Sequence, residues 1–136
     1  MSVVFSTQTQ HQEFDSPLAY STGAELKESV VLDSALCTAD ALCNRRYRYG
    51  TVLGQVTASR NHAYYDPTAA DGRQTPTGIL VSTVDVTRGT APAAQYTAAA
   101  YFEINKLLGY AGNEAAVQAV LPTCKFLTLT KRNPSP

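Results

Sequence analysis

The residues with the most capacity for chemistry crowd into YYDPTAADGRQTPTGIL, residues 64–80, where Asp66 and Asp71 stand among two prolines and Gly72. Two carboxylates five positions apart offer hard-oxygen ligands, so a calcium loop is the first chemistry to weigh. An EF-hand loop needs oxygen ligands at alternate positions and a late bidentate Glu. DPTAADGRQT puts alanines at two of those places and has no Glu, which leaves too few ligands. The same residues turn a chain well: Asp66-Pro67 starts a turn with φ preset, and Asp71-Gly72 permits positive φ beside a side chain that can cap the backbone. Asp66, Pro67, Asp71, Gly72 and Gly78 are therefore read as structural turn residues, with no metal assigned.

Catalysis finds little else to use. His11 lies in a polar stretch and His62 in a Ser-Arg-Asn-His turn; there is no G-x-S-x-G elbow, no H-E-x-x-H and no phosphate-cradling Gly-Lys-Ser/Thr loop. The expectation is a protein that is not an enzyme and has no catalytic residues or cofactor. The competing reading is a small β-rich ligand- or metal-binding module, or an enzyme, using the Asp66/Asp71 loop with His62. Cys37, Cys43 and Cys124 make an odd count without a C-x-x-C pair. They read as thiols of a reducing compartment, with a Cys37–Cys43 disulfide as the alternative.

Arg45, Arg46 and Arg48 interleave with Tyr47 and Tyr49, a pattern able to stack on bases or meet an acidic protein surface. Eleven basic and eleven acidic residues cancel to a formal net charge of zero, whereas phosphate binders carry a basic excess. The segment is accordingly read as a solvated, hairpin-like excursion, with no nucleic acid as partner. Charge neutrality also gives little colloidal repulsion, which suits a protein living in an assembly.

The elements around these residues are mostly strands. Glu28–Asp33, Gly50–Ala58, Thr77–Ser82, Ala93–Asn105 and Lys125–Thr130 carry β-branched or alternating patterns, and Gly54 marks a bulge or a close backbone approach. Leu36, Ala39 and Leu42 have the spacing of one helical turn. Asn113 as N-cap, Glu114 in the first turn, Ala115–Leu121 and a stopping Pro122 predict one short helix. The chain divides into an N-terminal arm, 1–27, a domain, 28–130, and a tail, 131–136, a length suited to one domain. No apolar run approaches the about 18 residues of a membrane span, and the start has neither a basic n-region nor an apolar h-region. The fold class expected is α+β, mainly β, with one or two short helices and a flexible arm.

GTVLGQVTAS followed by YYDPTAADGRQTPTGIL resembles the lambda-type bacteriophage head decoration protein family, the capsid cement proteins. In that family a G-x-V-L-G strand leads to a Y-D-P-x-A-x-D-G loop and a Gly-Ile-Leu strand. EINKLLGYAGNEAAVQAVLPTCKFLTLT is similar to the family's C-terminal part, and together the match covers roughly residues 50–130. Residues 34–49 are longer than the family's usual link, and the Asn-Pro-Ser-Pro ending departs from it. The resemblance implies a β-clip-like fold and a homotrimer at local three-fold sites on the outside of the expanded head. It also implies the major capsid protein as partner, no membrane or small-molecule substrate, and a location on the virion surface after assembly in the host cytoplasm. The role implied is to hold the shell against internal DNA pressure.

The arm is otherwise rich in Ser, Thr and Gln, yet it carries Phe14, Pro17, Leu18 and Tyr20. Such residues either pack on their own domain or contact a partner. With the resemblance, they are expected to be capsid anchors, and a deletion of residues 2–24 is expected to abolish capsid binding and leave a folded trimer.

Overall fold

The structure, a computed structural model, describes residues 16–128. Phe14, His11 and the tail 131–136 lie outside the described residues. Ten strands and two short helices follow one another: β1 (Leu18–Tyr20), β2 (Leu26–Leu32), β3 (Arg46–Tyr47), β4 (Val52–Gln55), β5 (His62–Tyr64), β6 (Pro76–Leu80), β7 (Val84–Asp85), β8 (Ala91–Ala98), β9 (Tyr101–Glu103), a 3-10 turn (Ile104–Lys106), α1 (Glu114–Val120) and β10 (Lys125–Leu127). Five strands close a barrel in the order β2-β5-β4-β6-β8, β1-β9-β10 form a second sheet, and β3 pairs with β7. The fold is α+β and mainly β, as the patterns predict.

The runs Thr-Val-Leu-Gly and Gly-Ile-Leu read as continuous apolar stretches because both faces of these strands are covered. Successive residues alternate between faces, so Val52 and Ile79 join one cluster with Tyr96, Phe102, Val117 and Leu121, while Leu53 and Leu80 join another with Val30, Leu32, Tyr47 and Val86. The first cluster joins the barrel to the second sheet and α1, through stacked Phe102, Phe126 and Tyr110 rings with centroids 5.4 and 4.8 Å apart. Truncating fully buried Phe102 to Ala would cost about 3–5 kcal/mol by transfer and cavity terms.

Barrel closure is uneven. β2 pairs with β8 over its whole length, from Leu26↔Ala98 to Leu32↔Ala91, but meets β5 only at Leu32↔His62. Gly54 sits where the β4–β6 register shifts, and a Cβ there would lie 2.8 Å from the Cα of Arg73. Bulge and close approach therefore coincide.

Three elements depart from expectation. The extended run 93–105 breaks at Ala99, whose φ of 55° lets the chain leave the barrel for the second sheet. A Cβ in that left-handed conformation costs about 1–2 kcal/mol, and Ala99 N–H is held there by donating to the Thr123 hydroxyl at 3.1 Å. Residues 34–45 contain no helical turn; Asp33 and Asp40 carboxylates accept nearby backbone N–H groups and hold tight bends instead. Asn113 occupies the N-cap position of α1 without capping, because its side chain donates to the Gly109 carbonyl at 3.0 Å. Glu114 serves the helix start by accepting from Gly112 N–H at 3.0 Å.

Candidate functional site

The loop 65–75 is tied to the barrel by backbone. Thr57 N–H donates to the Asp71 carbonyl at 2.8 Å, and Asp66 N–H to the Arg73 carbonyl at 3.0 Å. The Asp66 carboxylate accepts from Thr68 N–H (2.9 Å) and Thr68 hydroxyl (2.7 Å), and these bonds hold its pKa below the ordinary value. Asp71 accepts from Arg73 N–H at 3.2 Å and from Arg73 Nε at 3.1 Å on both oxygens, which likewise lowers its pKa. Each carboxylate is therefore occupied by its own turn. No three of the described His, Cys, Asp and Glu residues converge as a metal set. Gly78 differs from the other turn residues: it lies inside β6, where a Cβ would meet the Gln95 side chain at 2.6 Å.

The Arg-Tyr segment is neither a stacking surface nor the solvated excursion expected of it, because its strand β3 pairs with β7 and sends Tyr47 into the core. Tyr47 is fully buried, its hydroxyl donating to the Asp33 carbonyl at 2.7 Å and its ring 4.9 Å from that of Tyr64. Arg46 faces Asp85 at 3.8 Å, Arg45 reaches the Ser34 carbonyl, and Arg48 lies over the Tyr49 ring at 4.5 Å. Arg46-Tyr47 is a short strand with one face out and one in, a period of two visible in Arg-Tyr-Arg-Tyr. The cysteines are all free: Cys37 is buried, Cys43 exposed and Cys124 half-buried. A Cys37–Cys43 disulfide is thus absent, since Cys37 packs in the core beside the Tyr64 hydroxyl at 3.6 Å.

His62, which the competing ligand- or metal-binding reading would use, has surroundings that give it another role. It is buried at the pair joining β2 to β5, and among the described residues its Nδ1 has no hydrogen-bond partner. Burial pushes its pKa below the ordinary 6.5, with Glu28 opposing. Buried Gln95 donates to exposed Glu28 at 2.8 Å and Thr77 reaches Gln95 Oε1 at 3.1 Å, a polar chain leading from a buried residue to the surface that sequence patterns did not reveal. The unfolded chain takes up the His62 proton at a higher pH than the folded chain does. The stability due to neutral burial is therefore complete above 6.5 and is lost as pH falls below it. Thermal melts of the wild type across this range should decline on the acid side, and His62→Leu should flatten that decline; an unchanged acid limb would remove His62 as its cause.

Comparison with known families decides the reading. The family described as Bacteriophage lambda head decoration protein D matches residues 7–121. The chain belongs to that family. The match starts well upstream of the motif at 50–80 and includes part of the arm; it ends at Leu121, before β10. No curated protein matches the chain. Membership in the head decoration protein D family assigns a capsid decoration role and a place on the phage capsid.

For a head decoration protein the exposed surface matters more than any cleft. The expected anchors divide on inspection. Pro17 is buried, and its carbonyl accepts from Glu103 N–H at 3.0 Å; Leu18 pairs with Phe102 and packs on the first core cluster. Tyr20 stays 51% exposed against Tyr101, with centroids 5.3 Å apart. Two of the four expected anchors are thus held by the domain itself, one faces outward, and Phe14 lies outside the described residues. Leu26, Val31, Leu42 and Leu108 are the other exposed large apolar side chains among the described residues, and sequence reading singled out none of them for contact.

Proposed function

We propose that this chain is a capsid cement protein with a β-clip-like domain. It assembles as a homotrimer, binds the major capsid protein on the outer face of the expanded head at local three-fold sites, and reinforces the shell against DNA pressure. The protein is made in the host cytoplasm and taken up by the head after expansion. The match to the head decoration family over residues 7–121 carries the proposal. The likeness of GTVLG and YYDPTAADG to that family supports the trimer reading. Physical reasoning supports a trivalent binder: a polar segment that orders on its partner loses conformational entropy and binds weakly alone. Three such segments on one trimer meet their sites at high effective concentration after the first engages.

The N-terminal segment before β1, with Phe14, is the proposed capsid-binding element, and Tyr20 the proposed anchor at its base. Extended residues can add to an exposed sheet edge of the shell, where main-chain hydrogen bonds give affinity and side chains give register. The reinforcing role is tested on DNA-filled heads lacking decoration. Adding the protein should raise the temperature at which they release DNA; release at the same temperature with and without it would contradict that role.

A further inference from the structure

Among aspartyl peptide links, Asp–Gly, as at Asp71–Gly72, is the type most open to backbone rearrangement, because glycine leaves its own N–H unshielded next to the aspartate side chain. In that reaction the Gly72 nitrogen bonds to the Asp71 Cγ, and the carboxyl hydroxyl leaves with the amide proton as water, closing a five-membered succinimide. Water then adds to either ring carbonyl. Opening one C–N bond restores aspartate, and opening the other gives the isomeric link that runs through the side chain. The two products have the same mass, and no reagent but water takes part.

Sequence cannot escape this hazard by replacing the glycine. Gly72 has φ of +117°, and a Cβ would overlap the Gln55 carbonyl oxygen and lie 2.9 Å from Thr57 N. The rearranged link would carry an additional main-chain methylene into a space that has none to spare. On one side Thr57 N–H holds the Asp71 carbonyl; on the other, Gly54 is needed for the backbone of Arg73 to approach.

We infer that Arg73 and Gln74 guard Asp71–Gly72 against isoaspartate formation, so that this link is a latent modification site kept closed by the fold. Two contacts carry the inference. The attacking Gly72 N–H is directed onto Gln74 Oε1 at 2.8 Å. The Asp71 carboxylate is turned toward Arg73, whose Nε is 3.1 Å from both oxygens and whose side chain is only 17% exposed. A bound, ionised carboxylate is a poor electrophile, because the leaving hydroxyl requires the protonated form.

The test ages folded wild type, Arg73→Lys and Gln74→Ala at physiological temperature and neutral pH, with thermal melts confirming folding. Isoaspartate is read by enzymatic methyl transfer and by mapping the tryptic peptide Asn61–Arg73, or in Arg73→Lys the same peptide ending at the lysine. Folded wild type should form isoaspartate about tenfold or more slowly than the same chain in denaturant, each lost net hydrogen bond being worth up to about that factor. Both variants should close much of that gap. Gln74 is exposed, so Gln74→Ala remains informative if the arginine variant does not fold. Wild type ageing equally fast folded and denatured would overturn the inference. So would variants that fold and age no faster than wild type.

Discussion

Removing residues 2–15 is expected to abolish retention on expanded heads while leaving a chain that folds and melts like the intact protein. A longer deletion through residue 24 would be a poorer experiment, because it removes β1 and with it buried Pro17, the Leu18↔Phe102 pairing and the Tyr20–Tyr101 contact. Loss of binding by that variant would then reflect damage to the sheet. The shorter deletion keeps every described residue. Apparent affinity should fall by at least about 100-fold, since in the proposed trimer losing the proposed binding segment would remove the gain of three linked contacts together. Tyr20→Ala should weaken binding less, as Tyr20 is one exposed ring at the root of that segment. Sedimentation with expanded heads measures both, and full retention of the shortened chain would transfer the binding role to the folded body.

The second large effect is expected at Gly72→Val. The substitution combines a backbone conformation that β-branched residues rarely adopt with overlap against Gln55 and Thr57. Strain and overpacking together should cost about 3–5 kcal/mol, lowering the melting temperature of a chain this size by roughly 10–18 °C. Gly112→Ala is the control: φ is also positive, at +85°, but no atom lies within 4 Å of the added Cβ. Its cost should be about 1 kcal/mol, the backbone part alone. Equal melting temperatures for Gly72→Val and wild type would show that the loop yields without loss.

Local chemistry was legible in the sequence and long-range partnership was not. The turn residues at 66–72, Gly54, the start of β2 near Glu28, the strand ending in Ile79-Leu80 and the helix before Pro122 all follow from short-range rules on φ, alternation and helix-stopping proline, although the expected Asn113 cap does not form. The same rules could not show which strands meet. Ala93–Asn105 looks continuous because its residues are uniformly suited to a strand; the break at Ala99 is imposed by the crossing from barrel to second sheet. The arginines around Tyr47 mask its alternation in the composition, whereas Arg46 out and Tyr47 in is the pattern of a half-buried strand. His62 and Gln95 are polar residues whose burial depends on barrel closure, which no local window contains. The arm reading met the same limit: apolar residues in a polar stretch announce contacts, but not whether the partner is the chain's own β9, as for Leu18, or another protein.

Co-sedimentation of the intact protein with expanded, DNA-free heads of the same phage, alongside unexpanded heads, tests the decoration role most directly. The expected result is saturable retention on expanded heads, three copies for each occupied local three-fold position, and little on unexpanded ones. Correctly folded protein that stays in the supernatant with expanded heads would contradict it.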